Sequence, residues 1–308
     1  MIAVIGAYGV GMTMRVRHAP QPGETITGGV LSVGPGGKGS NQAIAVARLG
    51  HEVQLATVIG DDSAGAEAHA LWLRESVDSS AVSVVSDAST MTGFIVVDAA
   101  GENRIAIAPG ALERMTAAHA EAFRGSIRTA DLLVVSLEIP WAVAERALRI
   151  AGEEGTRRLL NPAPANVSVD LLRSLTDIVT PNETEARVLL GLTDGDPRDD
   201  ESLALDLATA ARCAVVMTLG ARGAVVVEAG VVSRIAPVAA PKVVDTTGAG
   251  DAFTAALAVA LVEGSSLVEA ARWAVRAGAH AVGIPEVIPA LPYRQDMAER
   301  HEKEHATR

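Results

Sequence analysis

From Thr116 onward the chain alternates short β-branched runs with longer alanine- and leucine-rich stretches, and this alternation limits the fold more than any other feature. Helical spacing marks 117–124, 142–152, 183–190 and 202–211, and the runs 132–135, 158–160, 178–179 and 215–218 read as strands. Such alternation predicts a parallel sheet covered by helices on both faces. Upstream, strands at 2–5, 53–59 and 83–85 alternate with helices at 40–49 and 64–75. Downstream come a hairpin (224–227 with 232–235), a strand ending at Val243 and Val244, a helix at 252–262 and a last pair of helices. Two β-rich stretches, roughly 11–37 and 92–108, break the pattern. Their turn residues and short alternation predict a small separate sheet, placed as a lid. The tail after Asp296 reads as a frayed charged helix. With 308 residues, 49% hydrophobic, and neither repeats nor a long linker, the organisation fits one domain over 1–308.

Several function classes drop out early. The net charge is −11 and no Lys/Arg stripe forms, which argues against nucleic acid as a partner. Cys213 is the only cysteine, and the seven histidines are scattered, so no disulfide framework or His/Cys metal site is expected. The opening MIAVIGAYGVG lacks the marks of a leader peptide, and no window has the apolar length of a membrane span. A soluble, cytoplasmic protein with no membrane partner is the expectation.

The stretch DTTGAGDAF, 245–253, places glycines between a β-branched run and a long apolar helix. Glycines there leave the first helical amides open to an anion, with Asp251 at the start as either an N-cap or a reactive carboxylate. GPGGKGSNQA, 34–43, is glycine-rich around Lys38 but is not a P-loop, because Gly39 rather than Ser or Thr follows the lysine. It suits close packing on a small polar ligand, with Lys38 and Asn41 as donors. IGAYGVGM has the glycine spacing of a dinucleotide fingerprint in reverse, and no helix follows it. TPNETEA, 180–186, sets Asn182 and Glu185 on one face of a first helical turn, as a capping box or beside a hydrated magnesium ion. TLGARGA, 218–224, is another glycine-bearing strand end. All these motifs follow predicted parallel strands, where α/β sheets bind ligands.

GGKGSNQA, NPAPA (161–165), TPNETEA, TLGARGA and DTTGAGDAF, in this order, resemble the ribokinase or PfkB-like carbohydrate kinase superfamily. PGET (22–25) and GENRI (101–105) resemble its lid strands. The resemblance implies an α/β fold, with a Rossmann-like three-layer core, a mainly parallel sheet and a small β-sheet lid. It implies ATP-dependent phosphorylation of a sugar hydroxymethyl group, with Asp251 as base and Gly248, Ala249 and Gly250 as the anion hole. Glu185 would organise Mg2+ through water. Asn182, Thr218, Gly220 and Gly223 fall on the nucleotide side. Gly37, Lys38, Asn41 and Glu138 fall on the sugar side. Asp245 and Thr247 match a monovalent-cation loop, a candidate K+ site. A homodimer through the lid is a further implication.

Two departures stand out. Where the ribokinase branch carries an asparagine and an aspartate that hold ring hydroxyls, this chain has Gly9 and Gly11. The glycines are expected to leave room, lined by Tyr8 and Met12. Glu286 and Ala290 stand where cation-binding members carry a glycine and a serine. The leading expectation is a sugar kinase. A nucleoside kinase of the same superfamily and a non-catalytic sugar or nucleotide sensor are the alternatives.

Overall fold

The computed structural model describes residues 1–193, 195–240 and 242–297, apart from the side chain of Asn103. Most of the tail after Asp296 lies outside the described residues. The chain begins with β1 (Ile2–Ile5), β2 (Gly9–Arg15), β3 (Val30–Gly36) and α1 (Lys38–Arg48). Next come β4 (Val53–Ala56), β5 (Val58–Gly60), α2 (Ser63–Arg74), β6 (Ser83–Val85), β7 (Thr92–Val97) and β8 (Asn103–Ala108). The middle holds α3 (Ala117–Ala122), α4 (Arg124–Thr129), β9 (Leu132–Ser136), α5 (Trp141–Glu154), β10 (Arg157–Asn161) and β11 (Ile178–Val179). Then follow α6 (Glu183–Leu189), α7 (Asp200–Ala211), β12 (Ala214–Thr218), β13 (Ala224–Glu228) and β14 (Val231–Ile235). The last elements are α8 (Ala249–Val262), α9 (Leu267–Ala281) and α10 (Val287–Ala290).

The large sheet has the order β14-β13-β12-β11-β10-β9-β1-β4. Its strands from β12 to β4 are parallel, and the hairpin of β13 and β14 adds an antiparallel edge. Side-chain alternation splits the core between the two faces. Ile2 and Val4 of β1 join the cluster under α1, α8 and α9, while Ala3 and Ile5 join the one under α5 and α7. Helix α8 is buried almost throughout, which its Ala/Leu/Val composition permits on every side. β1 lies between β4 and β9, so the chain reverses its direction across the sheet there. That switch point is where open α/β sheets place ligands.

A second, four-stranded sheet has the order β3-β2-β7-β8 and forms the lid. The expected strand over 53–59 is two strands. β4 pairs with β1, and after Thr57 the chain leaves the large sheet so that β5 pairs with β6. The expected strand at Val243 and Val244 does not form. The large sheet already ends at β14, and both side chains are exposed, 64% and 47%. The helix at 117–124 continues as a pair of short helices through Thr129. Among the described residues no helix is long and apolar enough to cross a membrane.

Candidate active site

The N-termini of two packed helices, α1 and α8, converge on this site. The N-cap of α1 is Gly37, with φ 89°, and a Cβ on it would lie 2.6 Å from the Ala7 carbonyl oxygen. A Cβ on Gly39 would lie 2.6 Å from the Gly6 Cα. The glycines of GGKG therefore seat α1 directly on the end of β1. This seat carries Lys38, Asn41 and Gln42 inward.

The N-cap of α8 is Gly248, in the left-handed region at φ 81°. Of the two readings of Asp251, N-cap or reactive carboxylate, the first is excluded, since Gly248 is the N-cap. The helix starts earlier, because Gly248 adopts the cap geometry, and Asp251 falls inside the first turn. Its side chain turns away from the helix amides into the protein and is 5% exposed. Asn41 Nδ2 donates to its Oδ2 at 2.8 Å, and Gln42 Nε2 donates to its Oδ1 at 3.1 Å. Gly248 has no side chain to cap the helix, and a Cβ on Gly250 would meet nothing within 4 Å. The start of α8 is thus open at Gly250, whereas Gly248 packs on Val287 and the Ala249 N–H donates to the Thr246 carbonyl at 3.3 Å.

Four charged side chains share this region. Burial pushes the Asp251 carboxyl above its ordinary range, while the Lys38 charge and the Asn41 and Gln42 amides pull the other way. Burial likewise raises Glu138, whose Oε2 accepts the Lys38 backbone N–H at 2.6 Å. Burial opposes the Lys38 charge, but Asp251, Glu138 and Glu185 together hold the ammonium above its ordinary value. Glu185 is raised by burial too, against the Asn182 amide and Lys38. Asn182 and Glu185 form a reciprocal capping box at the start of α6, both bonds at 2.8 Å. The capping arrangement therefore exists, and the Glu185 carboxylate lies within Lys38's electrostatic reach.

Thr218, at the end of β12, bridges to Asn182, its N–H donating to the Pro181 carbonyl. Gly220 and Gly223 follow with φ 54° and 88°, and a Cβ on Gly223 would collide with the Ile235 carbonyl oxygen. Arg222 between them pairs with Glu183 and Asp200, tying this turn to α6 and α7.

Gly9 and Gly11 lie on β2, opposite Gly36 and Gly34 of β3, and Gly11 also faces Gly93 of β7. Arg15 shares their strand face. The expected extra room is half right. A Cβ on Gly11 meets only Ile95 Cδ1 and Gly34 O, at 3.7 and 3.8 Å. A Cβ on Gly9 would lie 2.8 Å from the Met91 carbonyl oxygen, so Gly9 is filled from behind. Tyr8 does not line the site. It is 1% exposed, edge-on to Trp72 at 5.1 Å. Met12 belongs to the opposite face of β2, beside the exposed Val33 and Phe94.

Asp245 Oδ1 accepts from the Thr247 N–H and hydroxyl, and its Oδ2 from the Glu286 N–H at 3.3 Å. Ala290 is fully buried and supplies no side-chain oxygen. No hydroxyl stands at 290, while Asp245 Oδ2, which accepts a single bond, keeps a lone pair. Among the described residues no group of three or more His, Cys, Asp or Glu could hold a metal. Glu286 has φ 66° and ψ 157°, a conformation that favours glycine and strains other residues by about 1–3 kcal/mol. After the unfolded-state entropy of glycine is subtracted, Glu286→Gly should stabilise the protein by about 1 kcal/mol. A thermal melt should rise by about 2 °C; an unchanged or lower midpoint would show that the strain is absorbed elsewhere.

The pfkB family carbohydrate kinase model matches residues 3–294. This chain belongs to that family. As a member it is an enzyme, an ATP-dependent sugar kinase. The ribokinase of Haemophilus influenzae is 36% identical over 298 residues, 97% of each chain. The structure of ribokinase from Giardia lamblia superposes on this kinase with a TM-score of 0.88 at 28% identity, covering 98% of each chain. An Arabidopsis thaliana ribokinase complexed with ribose and ATP gives a TM-score of 0.86 at 28% identity, over 97% of each chain.

Gln42 and Asn161 were not singled out from the sequence, although both sit inside the quoted motifs. The available signal was a glutamine in an otherwise alanine- and valine-rich buried helix.

Proposed function

We propose that this kinase phosphorylates the hydroxymethyl group of a sugar, with Asp251 as general base. One observation carries the reading: a buried carboxylate, Asp251, in the first turn of a helix whose start is open to solvent at Gly250. Each Asp251 oxygen accepts one amide bond and keeps a second lone pair for a hydroxyl. As the hydroxyl oxygen bonds to phosphorus, its proton passes to Asp251 and the bond to the leaving ADP oxygen breaks. ATP, the co-substrate, supplies the phosphoryl group, and Mg2+ when bound would supply charge neutralisation there. The preorganised amides of the α8 N-terminus oppose the negative charge that grows there, without reorganising. Lys38, Asn41, Gly37 and Glu138 form the sugar side. Asn182, Thr218, Gly220 and Gly223 form the nucleotide side. Glu185 would hold Mg2+, through water rather than directly, as a lone carboxylate. No step is assigned to a monovalent cation. An ATP-consumption screen over pentoses, hexoses, sugar phosphates and nucleosides tests the reading. Turnover confined to nucleosides, or none at all, would overturn it.

Gly9 and Gly11 set the substrate preference in this reading, because the lid's inner face offers ring hydroxyls no side chain at these positions. Ribose should then be a weaker substrate than its relatives' names suggest. Gly11→Asp, which the open space admits, should raise kcat/KM for ribose about fivefold, the effect of one added hydrogen bond of about 1 kcal/mol. Gly9→Asn should destabilise instead, by collision with Met91. Equal ribose kinetics in parent and Gly11→Asp would remove Gly11 as a determinant.

The lid's outer face bears Leu31, Val33 and Phe94, each more than half exposed. A second copy covering this face would make a homodimer, and light scattering at micromolar concentration should give twice the monomer mass. A monomer that stays so at every concentration refutes it.

A further inference from the structure

We propose that Gln42 is a positioning residue for the phosphoryl transfer, holding Asp251 ionised and in register with the strand ends of the nucleotide side. The proposal rests on the reading of Asp251 as base.

Gln42 is fully buried. Its Nε2 donates to Asp251 Oδ1 at 3.1 Å and to Asn161 Oδ1 at 3.3 Å. Asn161 Nδ2 in turn donates to the Thr180 carbonyl at 3.0 Å. Thr180 immediately precedes the segment that carries Asn182 and Glu185. A line of buried amides therefore runs from the end of β11, through the end of β10 and helix α1, to the base on α8.

The orientation of the Gln42 amide is fixed by its surroundings. A primary amide has two N–H donors, and both find acceptors here. Turned over, it would set its oxygen against a carboxylate oxygen and a carbonyl oxygen. The oxygen as placed, Oε1, has no partner among the described residues. An apolar side chain would fill the space without leaving that buried acceptor unpaired, so filling space alone does not account for glutamine. What glutamine adds is a donor that favours the charged form of Asp251 and gives up no proton.

The charged groups facing Asp251 are Lys38, on the same helix as Gln42, and Glu138, from the segment after β9. Asn41 is the other donor. Burial works against the charge, and Gln42 opposes burial. Without Gln42, Asp251 holds its proton more tightly, and the acid limb of the pH profile moves to higher pH.

The test is the pH dependence of kcat/KM for the wild type, Gln42→Met, Gln42→Glu and Asp251→Asn, on the best substrate from the screen. Gln42→Met keeps length and volume and should move the acid limb up by about one pH unit, with activity recovered as pH rises. Gln42→Glu places two carboxyls over one proton and should move the limb further. KM for ATP should stay near the wild-type value in both. A uniform loss at every pH with an unmoved limb would assign Gln42 to packing and overturn the proposal. If Gln42→Met does not fold, the limb of Gln42→Glu decides in the same way. Asp251→Asn separates the two ideas. Its retention of turnover would remove the base and this proposal with it, whereas its inactivity beside unmoved Gln42 limbs would sink the positioning role alone.

Discussion

Asp251→Asn should lower kcat by about 10²–10⁴ while fold and nucleotide binding persist. The substitution keeps the shape of a side chain that is 5% exposed. Its amide cannot accept the sugar proton. Part of the rate should survive, because the amides at the start of α8 do not depend on the side chain. Glu185→Ala should behave differently, raising the Mg2+ concentration needed for activity and leaving sugar binding nearly untouched. Single-turnover rates and nucleotide titrations on both variants distinguish the two roles. Near-normal turnover in Asp251→Asn would sink the base assignment. A loss of sugar affinity in Glu185→Ala would sink the metal role.

Gly39→Ala is expected to be almost as severe, through geometry alone. The added Cβ lands 2.6 Å from the Gly6 Cα and 2.8 Å from the Ala7 nitrogen, both backbone atoms that cannot swing aside. Helix α1 must lift from the end of β1, taking Lys38, Asn41 and Gln42 with it. A displacement of about 1 Å in positioning groups costs about 10²-fold in rate. The effect should appear in kcat/KM for the sugar at temperatures where circular dichroism shows the variant folded. Wild-type kinetics would mean that the contact between Gly6 and Gly39 is not what seats the helix.

What could be read from sequence follows from how local each signal is. The β-strands of the large sheet and the helices over them announce themselves through periodicity, and Ile178–Val179 is legible despite its length because helix and turn signals bracket it. Val243 and Val244 show the limit. β-branched residues favour a strand only where a neighbour offers a ladder, and none is offered past β14. Asp251 shows another. Capping rules expect an acidic residue at the helix start, but a glycine in the left-handed region can begin the helix sooner, and only coordinates reveal that. The lid glycines were visible as letters, while Met91, which fills the space behind Gly9, is far away in sequence. The amide line through Gln42 and Asn161 joins motifs that each looked complete alone.

The strained conformation of Glu286 bears on how this kinase can change. A loop that keeps a glycine-like shape without a glycine leaves untapped stability at an exposed position. A lineage or a laboratory selection that recovers it gains tolerance for substitutions that are costly by themselves. Side chains introduced onto the glycine-lined face of the lid are of that sort. The route to a new sugar preference can therefore begin at a residue that touches no sugar, with the permissive change preceding the specific one.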